Sequence, residues 1–156
     1  LSPGEAKAIA KPQPNFPHYR GAEWRLVKRT TAGERSMYID VSQLERSNGE
    51  VRVLAFQVYP RRYRYLEDVR APAILLSLTF DCQARTATLT RMMDWSDVGF
   101  WPESTAWYLK TPPVKAGGAM DAALSAACNG PPAGKGFAFL NEAYDDAISA
   151  LTEPAA

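Results

Sequence analysis

Apolar and polar positions alternate along much of the first two thirds of the chain, and then give way to a helical period. "EWRLVKRT" puts Trp24 and Leu26 on one face and Arg25, Val27 and Arg29 on the other, the period of a strand. "TAGE" supplies a turn at Gly33, and "RSMYIDV" returns with Met37, Ile39 and Val41 on one face. "SQLERSNGE" is a connection. In it Ser42 and Glu45 have the spacing of a helical turn, and Asn48-Gly49 signals a reversal. "VRVLAFQVY" is apolar on both faces, with Val51, Val53 and Ala55 against Leu54, Phe56 and Val58, as expected of a strand covered on both sides and ended by Pro60. "AILLSLTFDC" directs Ile74, Leu76, Leu78, Phe80 and Cys82 one way, and "RTATLTRM" pairs back on it after a reversal at Gln83-Ala84.

Two helices follow. In "GGAMDAALSAACNG" the stripe is Met120, Ala123, Leu124, Ala127 and Cys128, and Asn129-Gly130 stops it. In "FAFLNEAYDDAISAL" it is Leu140, Ala143, Tyr144, Ala147, Ile148 and Leu151. Strands first and helices after predict an α+β fold: a single antiparallel sheet of about five to six strands, packed by a short helix and a C-terminal helix. The expected organisation is a Pro-rich arm over 1–21, an α+β domain over 22–130, a linker over 131–136 and an amphipathic helix over 137–152.

Composition narrows the function classes. Of 156 residues 46% are hydrophobic, enough for a core, and the formal net charge of +1 argues against a nucleic-acid binder. All but one of the 18 basic residues lie before residue 116, whereas five of the 17 acids lie after it, a split that suits either attraction between body and tail across the fold or two separate binding surfaces. No apolar run approaches the ~20 residues of a membrane-spanning helix. The chain begins at Leu1, from which we expect an upstream segment, a signal peptide or an expression segment, to have been removed.

Catalytic chemistry finds no set of residues. There is no Gly-x-Ser-x-Gly, and the one histidine, His18, lies in the arm away from any nucleophile. "GPPAGKG" fails as a phosphate loop, because its glycines are too close and Gly136 stands where Ser or Thr is needed. Asp94 and Asp97 are either a catalytic carboxylate pair or, as the more common case, ordinary acids of a loop. We therefore expect no enzyme, no metal and no cofactor. "YPRRYRYLED" interleaves Arg61, Arg62 and Arg64 with Tyr63 and Tyr65, which suits an anionic partner or a solvated hairpin loop. Trp101 and Trp107 are either an aromatic binding edge or the cap of a core.

The two cysteines, Cys82 and Cys128, each lie on the apolar face of their element. If the first helix packs on that sheet face, their sulfurs can meet. Closing a loop of 46 residues would stabilise by about 4 kcal/mol. The alternative is two buried free thiols. A metal site lacks further ligands, and Cys-x-x-Cys is absent.

Trp24 to Val27, "YIDVSQLERSNG", "DCQART" and "AALSAACNG" occur in an order that resembles the bacterial surface-adhesin protein E family, over about residues 22–130. The resemblance implies an antiparallel sheet backed by helix, with Cys82 and Cys128 paired. It also implies an exported domain in the periplasm or at the outer-membrane surface of a Gram-negative bacterium. The expected activity is non-enzymatic recognition of a protein or glycan partner. The competing expectation is a structural accessory subunit, whose arm and last helix would embrace a neighbour in a homo-oligomer or an envelope complex.

Overall fold

In the computed structural model the described residues are 22–30, 35–59, 73–96, 99–100, 109–110, 113–130 and 134–150. The strands are β1 (Trp24–Arg29), β2 (Ser36–Asp40), β3 (Glu45–Ser47), β4 (Glu50–Val58), β5 (Ala73–Asp81), β6 (Thr86–Ser96), β7 (Gly99–Phe100), β8 (Leu109–Lys110) and β9 (Gly136–Phe137). The helices are α1 (Ala119–Asn129) and α2 (Leu140–Ser149). Every strand pair is antiparallel, in one sheet ordered β7-β6-β5-β4-β2-β1-β9, with β3 also on β4 and β8 also on β6. The α+β class with a single antiparallel sheet packed by two helices is thus observed. The strands beyond the expected five or six are short ones: β3, β7, β8 and β9 are two or three residues long.

Side-chain alternation assigns each core. On one face Met37, Ile39, Val51, Val53, Ala55, Leu76, Leu78, Phe80 and Ala87 bury with Ala119, Ala123, Leu124 and Ala127 of α1. On the other face Trp24, Tyr38, Phe56, Val58, Ala73 and Leu75 bury with Leu140, Ala143, Tyr144, Ala147 and Ile148 of α2. The helices therefore cover opposite faces, which is why β4 reads as apolar on both sides. Ala119, Ala123, Ala126 and Ala127 bring α1 close to its face, and the disulfide holds its C-terminal end there.

Turns explain the register. Asn48 (φ 51°) and Gly49 (φ 80°) take the left-handed region, the two-residue hairpin their dipeptide favours, and Ser47 pairs with Glu50 across it. The β5–β6 reversal is longer than Gln83-Ala84 alone. Asp81 pairs with Thr86, four residues intervene, and Asp81 Oδ1 accepts from the amides of Gln83 (3.1 Å) and Ala84 (2.9 Å). Arg85 closes that turn at φ 55°. An aspartate that caps its own turn makes Gln-Ala workable where the dipeptide alone is unfavourable.

Three local readings need correction. A bulge in β1 between Leu26 and Lys28 reverses the alternation, so Arg29 lies on the Trp24 face rather than opposite it. The helical turn after β2 is a 3₁₀ turn over Val41–Gln43, capped by Asp40 instead of Ser42. The last helix starts at Leu140. Gly136 and Phe137 instead pair with Arg25 and Trp24, which ties the end of the linker to the sheet. Leu151 and the arm over 1–21 lie outside the described residues.

Candidate functional site

The Tyr38-Ile39-Asp40 triplet sits where three parts of the fold converge. Ile39 faces the α1 core and Tyr38 the α2 core. The Tyr38 hydroxyl donates to Asp146 Oδ2 at 2.7 Å, and Arg29 donates to the same oxygen at 2.6 Å, to Tyr38 Oη at 3.0 Å and to Ser36 Oγ at 3.0 Å. Burial, then the hydrogen bond to Asp146 and that carboxylate's charge, push the Tyr38 phenol well above its usual range. Burial pulls the Arg29 guanidinium down, but Tyr38 and Asp146 outweigh it and hold the guanidinium above its ordinary value. Asp40 is fully buried, and its Oδ1 accepts from Glu23 N (2.9 Å), Ser42 N (3.0 Å) and Ser42 Oγ (2.6 Å). Its Oδ2 has no hydrogen-bond partner. This cluster docks α2 and anchors the start of β1, and none of its residues lines either of the two cavities described below.

A second corner holds the disulfide. Cys82 and Cys128 are bonded, with Cα atoms 5.8 Å apart. Cys82 N donates to Gly49 O at 3.2 Å, so the bridge, the β3–β4 turn and the β5–β6 turn meet at one end of the sheet. Beside it Arg85 forms an ion pair with Asp121 in the first turn of α1, and Asp121 Oδ2 also accepts from Gly117 N at 2.9 Å.

The third region is the remainder of the α2 face. Beyond the helix-covered core, β4, β5 and β6 turn polar. A groove of about 500 Å³ there is lined by Glu50, Arg52, Ser77, Thr79, Thr88, Thr90 and Arg91. Register explains the pattern: Arg52 faces Thr79, which faces Thr88, and one row along Leu54 faces Ser77, which faces Arg91. A bulge between Ser77 and Leu78 brings both Thr90 and Arg91 to the groove, and Thr90 Oγ1 donates to Ser77 O at 3.1 Å. Adjoining it, where Leu54 and Met93 pack against the α2 core, is an apolar pocket of about 220 Å³. Ser77 and Arg91 line both.

Of the residues singled out in the sequence, Cys82 and Cys128 are brought together. Arg61, Arg62, Tyr63, Arg64, Tyr65, Trp101 and Trp107 lie outside the described residues. The groove is not among the sequence expectations, because the apolar register dominates the pattern of β5. Its signal is in the intervening positions, Ser77 and Thr79, and in the threonines of "RTATLTRM".

No helix among the described residues is long and apolar enough to cross a membrane. In comparisons with known proteins, the chain matches no family model, no curated protein and no solved structure.

Proposed function

We propose that the protein is an exported, non-enzymatic binding domain of a Gram-negative cell envelope, adhesin-like in kind, which recognises a protein or glycan partner through its surface. The observation that carries this reading is the Cys82–Cys128 bridge. Disulfides persist in oxidising compartments and are scarce in the cytosol, where such a pair would be kept reduced. The order of the motifs around the two cysteines is what carries the resemblance to the surface-adhesin protein E family. The polar half-face of the sheet offers an area for recognition that the helices leave uncovered.

Fractionation of the native cells, with thiols trapped by an alkylating polymer at lysis, tests the reading. The expected result is protein in the periplasmic or outer-membrane fraction with neither cysteine alkylated. Protein in the cytosolic fraction with both thiols reactive overturns it. Affinity capture from the envelope fraction then examines the mode of action. A stoichiometric, co-purifying envelope subunit would replace adhesion with the accessory role.

A further inference from the structure

The chain has two Asn-Gly pairs: Asn48-Gly49 makes the β3–β4 turn, and Asn129-Gly130 ends α1. They share an intramolecular chemistry. Glycine has no Cβ, so its amide nitrogen reaches the side-chain carbonyl carbon of a preceding asparagine more readily than that of any other residue. At Asn129 this nitrogen is held. Gly130 N donates to Ala126 O at 3.2 Å, and Cys128, just before the pair, is bonded to Cys82. At Asn48 it is not held. Asn48 and Gly49 are both exposed, and among the described residues no group accepts from Gly49 N and none bonds the Asn48 carboxamide. Asn48 is also one of two non-glycine residues at positive φ among the described residues, a region that a side chain tolerates rather than prefers. The strand leading into the turn is weakly held. All three residues of β3 are exposed, it pairs with β4, and the ion pair of Glu45 with Arg52 at 3.5 Å lies in solvent. So short a strand opens at little cost and without disturbing the core.

We propose that Asn48 is a site of spontaneous main-chain modification, with water as the only other reactant. When the turn opens, Gly49 N attacks Asn48 Cγ. The N–Cγ bond forms, the Cγ–Nδ2 bond breaks, and the amide group leaves as ammonia with the proton from Gly49 N. Water then opens the cyclic imide at either carbonyl. Addition at Cγ leaves an aspartate. Addition at the main-chain carbonyl leaves an isoaspartate, whose main chain runs through Cγ and is lengthened by the side-chain methylene. That longer chain no longer fits a two-residue hairpin in which Ser47 faces Glu50. It also moves Gly49 O from Cys82 N, whose hydrogen bond it accepts at 3.2 Å. Conversion at this one asparagine therefore loosens the corner where the bridge and two turns meet. The inference rests on neither export nor recognition of a partner, so it stands or fails separately from both.

Peptide mapping by mass spectrometry tests this, on the full, oxidised chain incubated warm in mildly alkaline buffer, with isoaspartate and aspartate products resolved by chromatography. Asn48 is expected to convert at least about tenfold faster than Asn129, a ratio set by how much more readily the hairpin opens than the bridged helix end. In unfolding urea both pairs are equally free, and their rates should agree within about threefold. Asn48→Gly, which keeps the turn and removes the carboxamide, should abolish conversion at the hairpin and leave that at Asn129 unchanged. The isoaspartate form, once separated, should melt below Asn48→Asp, which carries the same charge on an ordinary main chain. Asn48 reacting no faster than Asn129 in the folded protein overturns the proposal. So does a rate ratio in urea equal to that in the folded chain, which would assign the preference to local sequence. Equal melting of the isoaspartate form and Asn48→Asp would overturn the loosening of the corner.

Discussion

Tyr38 and Asp146 lie 108 residues apart, and the phenol of the first donates to Oδ2 of the second at 2.7 Å. Arg29 reaches the same oxygen from β1, so a strand, its neighbour and the last helix share one carboxylate. The shared carboxylate adds a directional contact to the apolar stripe through which α2 docks. That stripe specifies a face but not a position along it, and the polar cluster supplies the position. A double-sided cluster of this kind also makes stability depend on pH through one identified proton.

The sign follows from the direction of the shift. The folded phenol holds its proton to higher pH than the unfolded one, whose ordinary value is 10.0. Below that value both states are protonated and the contribution of Tyr38 is complete. Above it the unfolded chain releases a proton that the folded chain keeps, so stability falls as pH rises. Urea titrations between about pH 9 and 11 should show this fall in the wild type. Tyr38→Phe should be less stable by about 1 kcal/mol at neutral pH, and its alkaline slope should be shallower. Parallel slopes in the two proteins would mean that the phenol is not held as the geometry requires.

Reduction of the Cys82–Cys128 bridge should lower stability by about 4 kcal/mol, because the closed loop spans 46 residues and its unfolded state regains that freedom. Cys82→Ser with Cys128→Ser should behave as the reduced wild type does. The urea dependence should steepen in both, since an uncrosslinked unfolded chain exposes more surface. Arg85 with Asp121 and the Val114 N to Arg85 O bond (2.8 Å) still hold the corner, so the reduced protein is expected to remain folded at neutral pH. Equal midpoints for oxidised and reduced protein would contradict the entropic role assigned to the bridge.

At the β3–β4 hairpin, Gly49 is at φ +80° with open space where a Cβ would stand. A clash with neighbours is therefore absent, and the cost of Gly49→Ala is conformational alone, about 1 kcal/mol. Gly49→Asn should cost less, because asparagine tolerates the left-handed region. Thermal melts of the two variants separate strain from packing: equal losses would point to packing.

The elements that could be read from the sequence are those whose cause is local. Ile74, Leu76, Leu78 and Phe80 declare their face by period two, and Asn48-Gly49 declares its turn by backbone preference. The four-residue turn is not legible in Gln83-Ala84, because Asp81 supplies it from within the strand, by side-chain hydrogen bonds that no dipeptide rule contains. The face of Arg29 is not legible from alternation, because one bulged residue in β1 inverts every position after it. The pairing of β9 with Trp24 and the meeting of Tyr38 with Asp146 are products of chain closure over more than a hundred residues, and nothing near either residue encodes them. The groove was legible in principle. Its threonines alternate as regularly as the apolar residues between them, but an exposed polar face is the default for an antiparallel sheet. Only the pocket of Leu54, Leu75 and Met93 beside it distinguishes it from that default.

The two-sided core makes a further quantitative claim. Leu124 is fully buried under α1, and Ile148 is nearly so under α2, on opposite faces of the same sheet. Leu124→Ala and Ile148→Ala should each cost about 2–5 kcal/mol, the range for a large-to-small change in a packed interior. Because the sheet separates them and they share no packing partner in either cluster, the costs should add within about 0.5 kcal/mol in the double variant. To keep that variant folded enough to measure, the cycle is run with the disulfide intact. Reduction should then add its own loss on top of Leu124→Ala more than on top of Ile148→Ala, since the bridge ends in α1 and the two act on the same helix. A coupling above about 1 kcal/mol between Leu124 and Ile148 would place both helices in one core, contrary to the opposed packing.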